Sequence, residues 1–400
     1  MTTPAGLVAG CVTRYAERLH AAAGDRHHVA SPLGAWLLLA LAAPASSGED
    51  RATLTDILGC DVDMAAQAAS DLLADPHPLV AAAAAVWTAR DHAGTADFRR
   101  WLASLPSAVT TGELPGQAGL DSWARDHTFG LIDRFPVDAS MAYLVLATAM
   151  ATKVSWETPF QLAPASSLGA ASSWAGQLAR VLRTPAGPGV YGHGQFIAGT
   201  PDMGDVIVHA ATAVDGLIVV SVGALPDVRA GRVLGLAHDL GGRLATGARV
   251  ERRDLADLPL GEEPLWDLRE VMAGADSCIA VLPAWSASSR LDLADPVLGF
   301  AAAMRGVSAG SDPWDARQAA MARYSRTGFE AAAVTGGVAS LGAHLPGRHR
   351  HADLRFGHPY AVIALVRDAG TPWHGLPVFS AWVTEPENAS ADEPGPIRPL

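Results

Sequence analysis

The pentapeptide Gly306-Val307-Ser308-Ala309-Gly310 has the G-x-S-x-G spacing that lifts a nucleophilic serine above a sharp turn, and Asp353 and His358 follow it in the order of a hydrolase triad. Its surroundings oppose that chemistry. A nucleophile elbow needs a strand before the serine and a helix after it, whereas AAAMR before it reads as helix and Ser311-Asp312-Pro313 after it as a turn. A second set of candidates is His344, His349, His351 and His358, in which His-x-His at 349–351 offers two imidazole ligands. No cysteine or paired carboxylate accompanies them at ligand spacing, so solvated loop histidines are expected, with no metal and no other cofactor. Cys11, Cys60 and Cys278 are odd in number and far apart, and read as reduced, mostly buried thiols. Lys153, just before Trp156, is the only lysine in the chain.

The elements that must position these residues follow from composition and pattern. With 400 residues, 49% of them hydrophobic and 18% charged, the chain can bury a large core. A net charge of -12 without a long basic run argues against nucleic acid or an anionic membrane as partner. The start lacks the basic, apolar and small-residue regions of a signal peptide, so a cytoplasmic location is expected. The longest apolar run, at 35–43, is too short to cross a bilayer.

Apolar residues at helical spacing predict a helix over 7–19, and Ser31-Pro32 opens a buried helix through the run at 35–43. Further short helices are expected at 47–59, 96–105 and 120–135, and a strand or buried helix at 80–88. Residues 143–160 read as a strand leading into a turn. From residue 194 the pattern changes to strands. The runs 206–211 and 217–222 flank a turn, and 232–236, 278–293, 318–326, 359–367 and 377–384 follow, with a helix at 296–304. Helices dominate the first third and strands the rest, which is an α+β chain and not an alternating α/β one. The Pro-rich acidic end, 387–400, is expected to be a disordered tail.

One stretch resists ordinary assignment. Residues 327–351, TGFEAAAVTGGVASLGAHLPGRHRH, begin like the end of a strand and then lose almost every large side chain. Extended, the segment would place Phe329, Ala331, Ala333, Thr335, Gly337 and Ala339 on one face. All but Phe329 are small, as a strand must be to enter between two others without displacing their core; the plainer reading is an Ala- and Gly-rich surface loop.

Four segments together resemble the serpin family of serine protease inhibitors. In LDSWARDHTFGLIDRF the resemblance rests on Asp121, Trp123, Thr128, Gly130 and Ile132, and in LATAMATKVSWETPF on Lys153, Trp156, Pro159 and Phe160. VLPAWSASSRLDL contributes Leu282, Pro283, Trp285, Asp292 and Leu293, and the closing segment Phe356, Pro359, Tyr360, Phe379, Val383 and Pro386. The resemblance implies one domain over 1–386, with three β-sheets, eight or nine flanking helices and an exposed reactive-centre loop, acting as a monomer. It implies a suicide substrate: a serine protease of trypsin, elastase or subtilisin type, or alternatively a cysteine protease, cleaves the loop, which then inserts into the central sheet. Loop insertion of this kind is among the standard examples of strand addition and stored strain.

By the same resemblance Gly328, Phe329, Glu330, Ala331, Ala332, Ala333, Val334 and Thr335 form the loop's hinge. Ser31, Thr148, Lys153, Trp156 and Gln318 occupy the breach and shutter of the central sheet, with Gly34, Thr148 and Gln318 where the family favours Ser, Asn and His. Counting from the hinge places the scissile bond at Gly342–Ala343, beside Leu341, whereas counting back from Phe356 points to Arg348, with Arg350 as a second trypsin-type bait. Phe329 replaces a small hydroxyl residue and Arg326 an acidic one. A phenyl ring entering a sheet gap risks overpacking, which leaves a non-inhibitory binding protein of the same fold as the first alternative and a hydrolase using Ser308 as the second.

Overall fold

A computed structural model describes residues 4–89, 96–137, 144–186, 191–214, 216–307, 314–329 and 347–391. Among them are eight α-helices: α1 (Pro4–Ala23), α2 (Pro32–Ala42), α3 (Gly48–Leu58), α4 (Val62–Ala74), α5 (Ala96–Ser104), α6 (Gln117–Asp126), α7 (Ala230–Ala245) and α8 (Phe300–Val307). The strands begin with β1 (His28–Ala30), β2 (Val80–Thr88), β3 (Val109–Glu113), β4 (Leu144–Thr152), β5 (Val154–Ser155), β6 (Gln161–Pro164) and β7 (Arg180–Arg183). They continue as β8 (His193–Thr200), β9 (Gly204–Thr212), β10 (Leu217–Gly223), β11 (Gly261–Glu262), β12 (Trp266–Ala273), β13 (Ser277–Leu282) and β14 (Trp285–Asp292). The last are β15 (Trp314–Asp315), β16 (Arg317–Tyr324), β17 (Gly328–Phe329), β18 (Gly347–Arg355), β19 (Tyr360–Val366) and β20 (Pro377–Val383). No helix is long and apolar enough to cross a membrane among the described residues.

The core is built on α2. Ser31 caps it, its Oγ accepting from Gly34 N–H at 3.1 Å, and Pro32 supplies the φ that the first turn needs. Every residue of α2 is buried, because a helix that is apolar all round has no face to offer water. Indole N–H groups tie it to its neighbours: Trp36 Nε1 of α2 donates to Leu58 O at the end of α3 at 3.1 Å, and Trp101 Nε1 of α5 donates to Leu41 O near the end of α2 at 2.9 Å.

One antiparallel sheet has the order β1-β20-β19-β10-β9-β8. Its strands β10, β19 and β20 are buried at every position, which explains their unbroken apolar sequences: both faces are covered. One face packs on the main core and the other on α7. Helix α7 corrects the expected strand at 232–236. Val233, Leu234, Ala237 and Leu240 recur at helical spacing and are buried, so the longer period prevails over a short apolar run. Gly241 permits close approach, since a Cβ there would lie 2.9 Å from Leu365 Cδ1. A second, mixed sheet has the order β11-β12-β18-β13-β7-β6. The remaining strands form two four-stranded sheets, β14-β16-β17-β5 and β15-β4-β2-β3, so four sheets stand among the described residues where three were expected; β4 runs on into β5 and β15 into β16, and the two together are called the central sheet below.

Other expectations are corrected locally. The helix expected at 120–135 is α6 and stops at Asp126, where the chain turns through Phe129 (φ 54°) and Gly130 (φ 73°). Thr128 Oγ1 donates to Ala124 O and accepts from Ile132 N, while Asp121 Oδ1 accepts from Phe135 N, so the polar residues of this motif close the turn. Helix α4, capped by Asp61, is not anticipated from the sequence. Residues 347–351, expected as the end of an exposed loop, open β18, which pairs with β12 and β13. The tail expected to be disordered from residue 387 is packed as far as Ala391. Glu387 bridges Ala284, Asn388 Oδ1 accepts from Ala179 N at 2.7 Å, and Ala389 N donates to Arg180 O at 3.0 Å.

Three buried histidines join α1, α7 and the first sheet. His28 Nδ1 must donate to Arg26 O at 2.9 Å, because a carbonyl only accepts; its Nε2 then accepts from His20 Nδ1 at 2.8 Å, and His20 Nε2 accepts from Ser380 Oγ at 2.6 Å. The His238 ring lies 5.9 Å from that of His20, and its nitrogens have no partner among the described residues. Burial holds all three below the ordinary value of 6.5, His238 at about 4. The unfolded chain takes up these protons near pH 6.5 and the folded chain does not. Stability is therefore full above that pH and is lost as pH falls toward the folded value of about 4. Denaturant midpoints should fall across this window, and His238→Leu, which loses no hydrogen bond, should flatten the fall; an unchanged slope in the variant would reject the assignment.

Candidate functional site: the seam of the central sheet

Strand β4 continues into β5 across Lys153, and β15 into β16 across Ala316. At one end the two lines are joined in parallel, Trp314 opposite Leu144 and Asp315 opposite Val145. Ten residues further along each line lie Tyr324 and Val154, which the same register would pair with each other. They do not pair. Phe329 sits between them, antiparallel to both, and Gly328 pairs with Ser155. Between the closed end and this two-residue wedge, no strand pairing joins residues 146–153 to residues 316–323 among the described residues. At about 3.3 Å per residue, that unpaired seam has the length of a strand of roughly 26 Å.

The wedge is held firmly. Ser325 N donates to Gly328 O at 3.0 Å and Gly328 N to Ser325 Oγ at 3.2 Å, closing a tight turn after β16. Trp156 N donates to Thr327 O at 3.0 Å, Phe160 N to Arg326 O at 2.9 Å, and Trp156 Nε1 to Ser325 O at 3.0 Å. Arg326 turns its guanidinium to Ala391 O at 3.3 Å. Phe329 is 3% exposed, with its ring edge-on to Trp285, which stacks on Tyr324; the rings of Trp156 and Phe160 also pack on Tyr324, with centroids 5.0 and 5.7 Å away.

Near Tyr324 lie two more histidines that sequence reasoning missed, His209 buried and His193 half-buried. His193 Nε2 donates to Thr158 O at 2.7 Å, so its Nδ1 accepts from His209 Nε2 at 3.1 Å, leaving His209 Nδ1 to face the Tyr324 hydroxyl at 3.5 Å. Both are held below the ordinary histidine range, chiefly by burial and, for His209, also by the neighbouring His193. Neither has a local motif; only the pairing of β8 with β9 brings them together.

Midway along the seam, residues from α2, β4 and β16 meet. Gln318 makes a two-point contact with the Ser31 backbone: Ser31 N donates to Gln318 Oε1 at 2.9 Å, and Gln318 Nε2 donates to Ser31 O at 2.8 Å. Ser31 Oγ donates to Val378 O at 2.8 Å, and Thr148 Oγ1 to Gly34 O at 2.9 Å. Gly34 has no room for more, since a Cβ would lie 2.9 Å from Met150 Cγ and 3.1 Å from Ser31 Oγ.

Three solved structures match this arrangement over nearly the whole chain. Serpin48, a highly specific serpin in the insect Tenebrio molitor, aligns with a TM-score of 0.60 at 14% identity, covering 95% of this chain and 98% of its own. Tengpin, a thermophilic serpin in the native state, aligns at 0.62 and 13% identity, covering 94% and 93%. Thyroxine-binding globulin in complex with thyroxine aligns at 0.61 and 13% identity, covering 94% and 99%. The chain has the serpin fold. No protein-family model and no curated protein matches its sequence, so the likeness is one of fold.

Within the serpin fold, Ser31, Thr148, Trp156 and Gln318 lie along or against the seam, and exposed Lys153 lies in the line between β4 and β5. Gly328 and Phe329 are the wedge itself. Glu330, Ala331, Ala332, Ala333, Val334, Thr335, Leu341, Gly342, Ala343, His344 and Ser308 lie outside the described residues. Arg348 and Arg350 are in β18, not in a loop; Arg350 donates to Leu255 O at 2.7 Å and Leu258 O at 2.6 Å. The histidines expected to be solvated in a loop are engaged in that strand, His349 with Asp276 and His351 with Ser277 and Asp353. Gly306 and Val307 end helix α8, so the strand that a nucleophile elbow requires is not there.

Gln318 is the point to test. Gln318→Ala would leave the buried Ser31 N–H without a partner, while Ser31 O keeps the N–H of Ala35 at 3.1 Å, at a cost of about 1–3 kcal/mol. A lower denaturant midpoint with an unchanged slope is expected; wild-type stability would mean that the contact contributes nothing net.

Proposed function

We propose that this serpin-fold chain inhibits a serine protease as a suicide substrate, through cleavage of its reactive-centre loop and insertion of the segment after Phe329 into the seam. The carrying observation is that Gly328 and Phe329 already stand between β16 and β5 at one end of an otherwise unpaired seam. Phe329 therefore need not enter the sheet later, which answers the overpacking objection to its size.

The register supports the reading. Continued from Phe329 in the same antiparallel sense, Ala331 falls opposite Thr152 and Ala322, Ala333 opposite Met150 and Ala320, and Thr335 opposite Thr148 and Gln318. On β16 those are buried positions, and small residues meet them. Glu330 falls opposite Lys153 and Arg323, which suits its charge. Eight residues, 330–337, fill the seam before the closed end. Ladder hydrogen bonds and the burial of an unpaired edge drive such an insertion downhill from a state held by a kinetic barrier. With Arg348 and Arg350 in a paired strand, the candidate bait is Leu341, Gly342 and Ala343, which fits an elastase- or subtilisin-like protease better than a trypsin-like one.

A second reading, a binding protein that does not inhibit, is favoured by Arg326 in place of an acidic residue and by the match to thyroxine-binding globulin in complex with thyroxine. A panel of serine proteases separates the two. Inhibition predicts a complex that survives denaturation, a large gain in melting temperature after loop cleavage, and loss of the complex in Ala333→Arg, which becomes a plain substrate. Cleavage by every protease without complex or thermal gain would sink the inhibitor.

A further inference from the structure

Far from the seam, two thiols that are 49 residues apart in sequence meet where α1 crosses the junction of α3 and α4. Cys11 projects from α1 and is buried, its Sγ 3.4 Å from Gly59 O. Gly59 ends α3 in the left-handed conformation (φ 75°), and Cys60 follows it directly. That turn sets Cys60 directly after the carbonyl that Cys11 Sγ approaches, with Cys60 Sγ 3.9 Å from Leu58 O. Arg14, one turn along α1, reaches across both, with Nη2 2.6 Å from Gly59 O and 3.6 Å from Cys11 Sγ. Gly59 is required twice over: for its positive φ, and because a Cβ would lie 2.7 Å from Arg14 Nη2.

The two sulfurs differ in access and in charge. Cys60 lines an open cleft of about 550 Å³ with Arg14, Asp56 and Asp61, so it can meet a small solute. Cys11 lies behind it. The Cys60 thiol and the Arg14 guanidinium favour the thiolate of Cys11, bringing it down to about 6 against the opposing effect of burial, while Cys60 is pushed up and keeps the shared proton. Cys278 stands alone, pushed up to about 11 by burial.

We propose that Cys11 and Cys60 are a redox-active pair that closes to a disulfide with a hydroperoxide, clamping α1 to the α3–α4 junction. The Cys60 sulfur, its proton passing to the Cys11 thiolate, attacks the peroxide O–O bond, giving a sulfenic acid and a hydroxide that takes a proton from solvent and leaves as water when the peroxide is hydrogen peroxide. The Cys11 sulfur then attacks the sulfenic sulfur, forming the S–S bond, and the expelled hydroxyl leaves as a second water with the proton that Cys11 had received. Both sulfurs are oxidised and one peroxide is reduced, so the electrons balance.

The test uses the full chain and hydrogen peroxide. The expected result is loss of two of the three free thiols, a mass lower by two hydrogens, a cross-linked peptide containing Cys11 and Cys60, and a melting temperature higher by a few degrees that thiol reductant reverses. Cys278→Ser should behave as wild type, and Cys60→Ser should lose both the cross-link and the thermal gain. If Cys11→Ser does not fold, Cys60→Ser, at a partly exposed position, still decides the matter. Retention of three thiols, oxygen addition at Cys60 with Cys11 left free, or a cross-link through Cys278 would each overturn the proposal.

Discussion

Gly328 and Phe329 hold the central sheet apart at one end, and much of the structure is arranged around that insertion. Two parallel lines of chain, 144–155 and 314–324, are in register for full pairing yet meet only at their far ends. Parallel strands must be brought together by long connections, and here they are separated again by a short antiparallel segment that belongs to neither. The turn at Ser325 points the wedge back along β16, and the Trp156–Phe160 segment binds that turn through backbone hydrogen bonds. The aromatic group of Trp156, Phe160, Trp285, Tyr324 and Phe329 fills the space beneath. A phenyl ring is tolerated in the wedge because Trp285 meets it edge-on, at the outer limit of aromatic contact.

Polar groups inside this protein are placed where elements must meet in one arrangement only. Gln318 reads the backbone of Ser31 as a neighbouring strand would, with one donor and one acceptor, and so ties the start of the central helix to β16. The two histidine groups do similar work at other junctions, each as a one-way chain of hydrogen bonds whose directions follow from a terminal carbonyl. Such networks are costly if half satisfied, and they therefore specify position more than they add stability.

The α+β class, the buried helix opened by Ser31-Pro32, the apolar strands β9, β10, β19 and β20 and the singular character of 327–351 were all legible in the sequence, because each depends on local pattern and on runs of apolar residues. The turn chemistry of Asp121, Thr128 and Gly130 was legible only as a motif, and its ladder of side-chain contacts emerged from the fold. Sequence misjudged 232–236 because five residues do not reveal a period, and it extended the loop through 351 because Arg and His at a sheet edge look like solvated loop residues. The start of the tail, 387–391, was misread for a related reason: Asn388 and Ala389 are ordered by partners more than two hundred residues away, while 392–400 lie outside the described residues.

What the sequence determined by itself was the supply of parts: a core large enough for one fold, a small-residue segment fit to be a strand, and polar residues able to satisfy one another when buried. Only the tertiary structure decided which of them meet. The position of Phe329 between Tyr324 and Val154, the contact of Gln318 with Ser31, and the meeting of Cys11 with Cys60 are all set by register and crossing between distant segments. A chain pattern carries the period of each element but not the relative placement of two elements, because that placement minimises exposed surface and unpaired polar groups over the whole molecule at once.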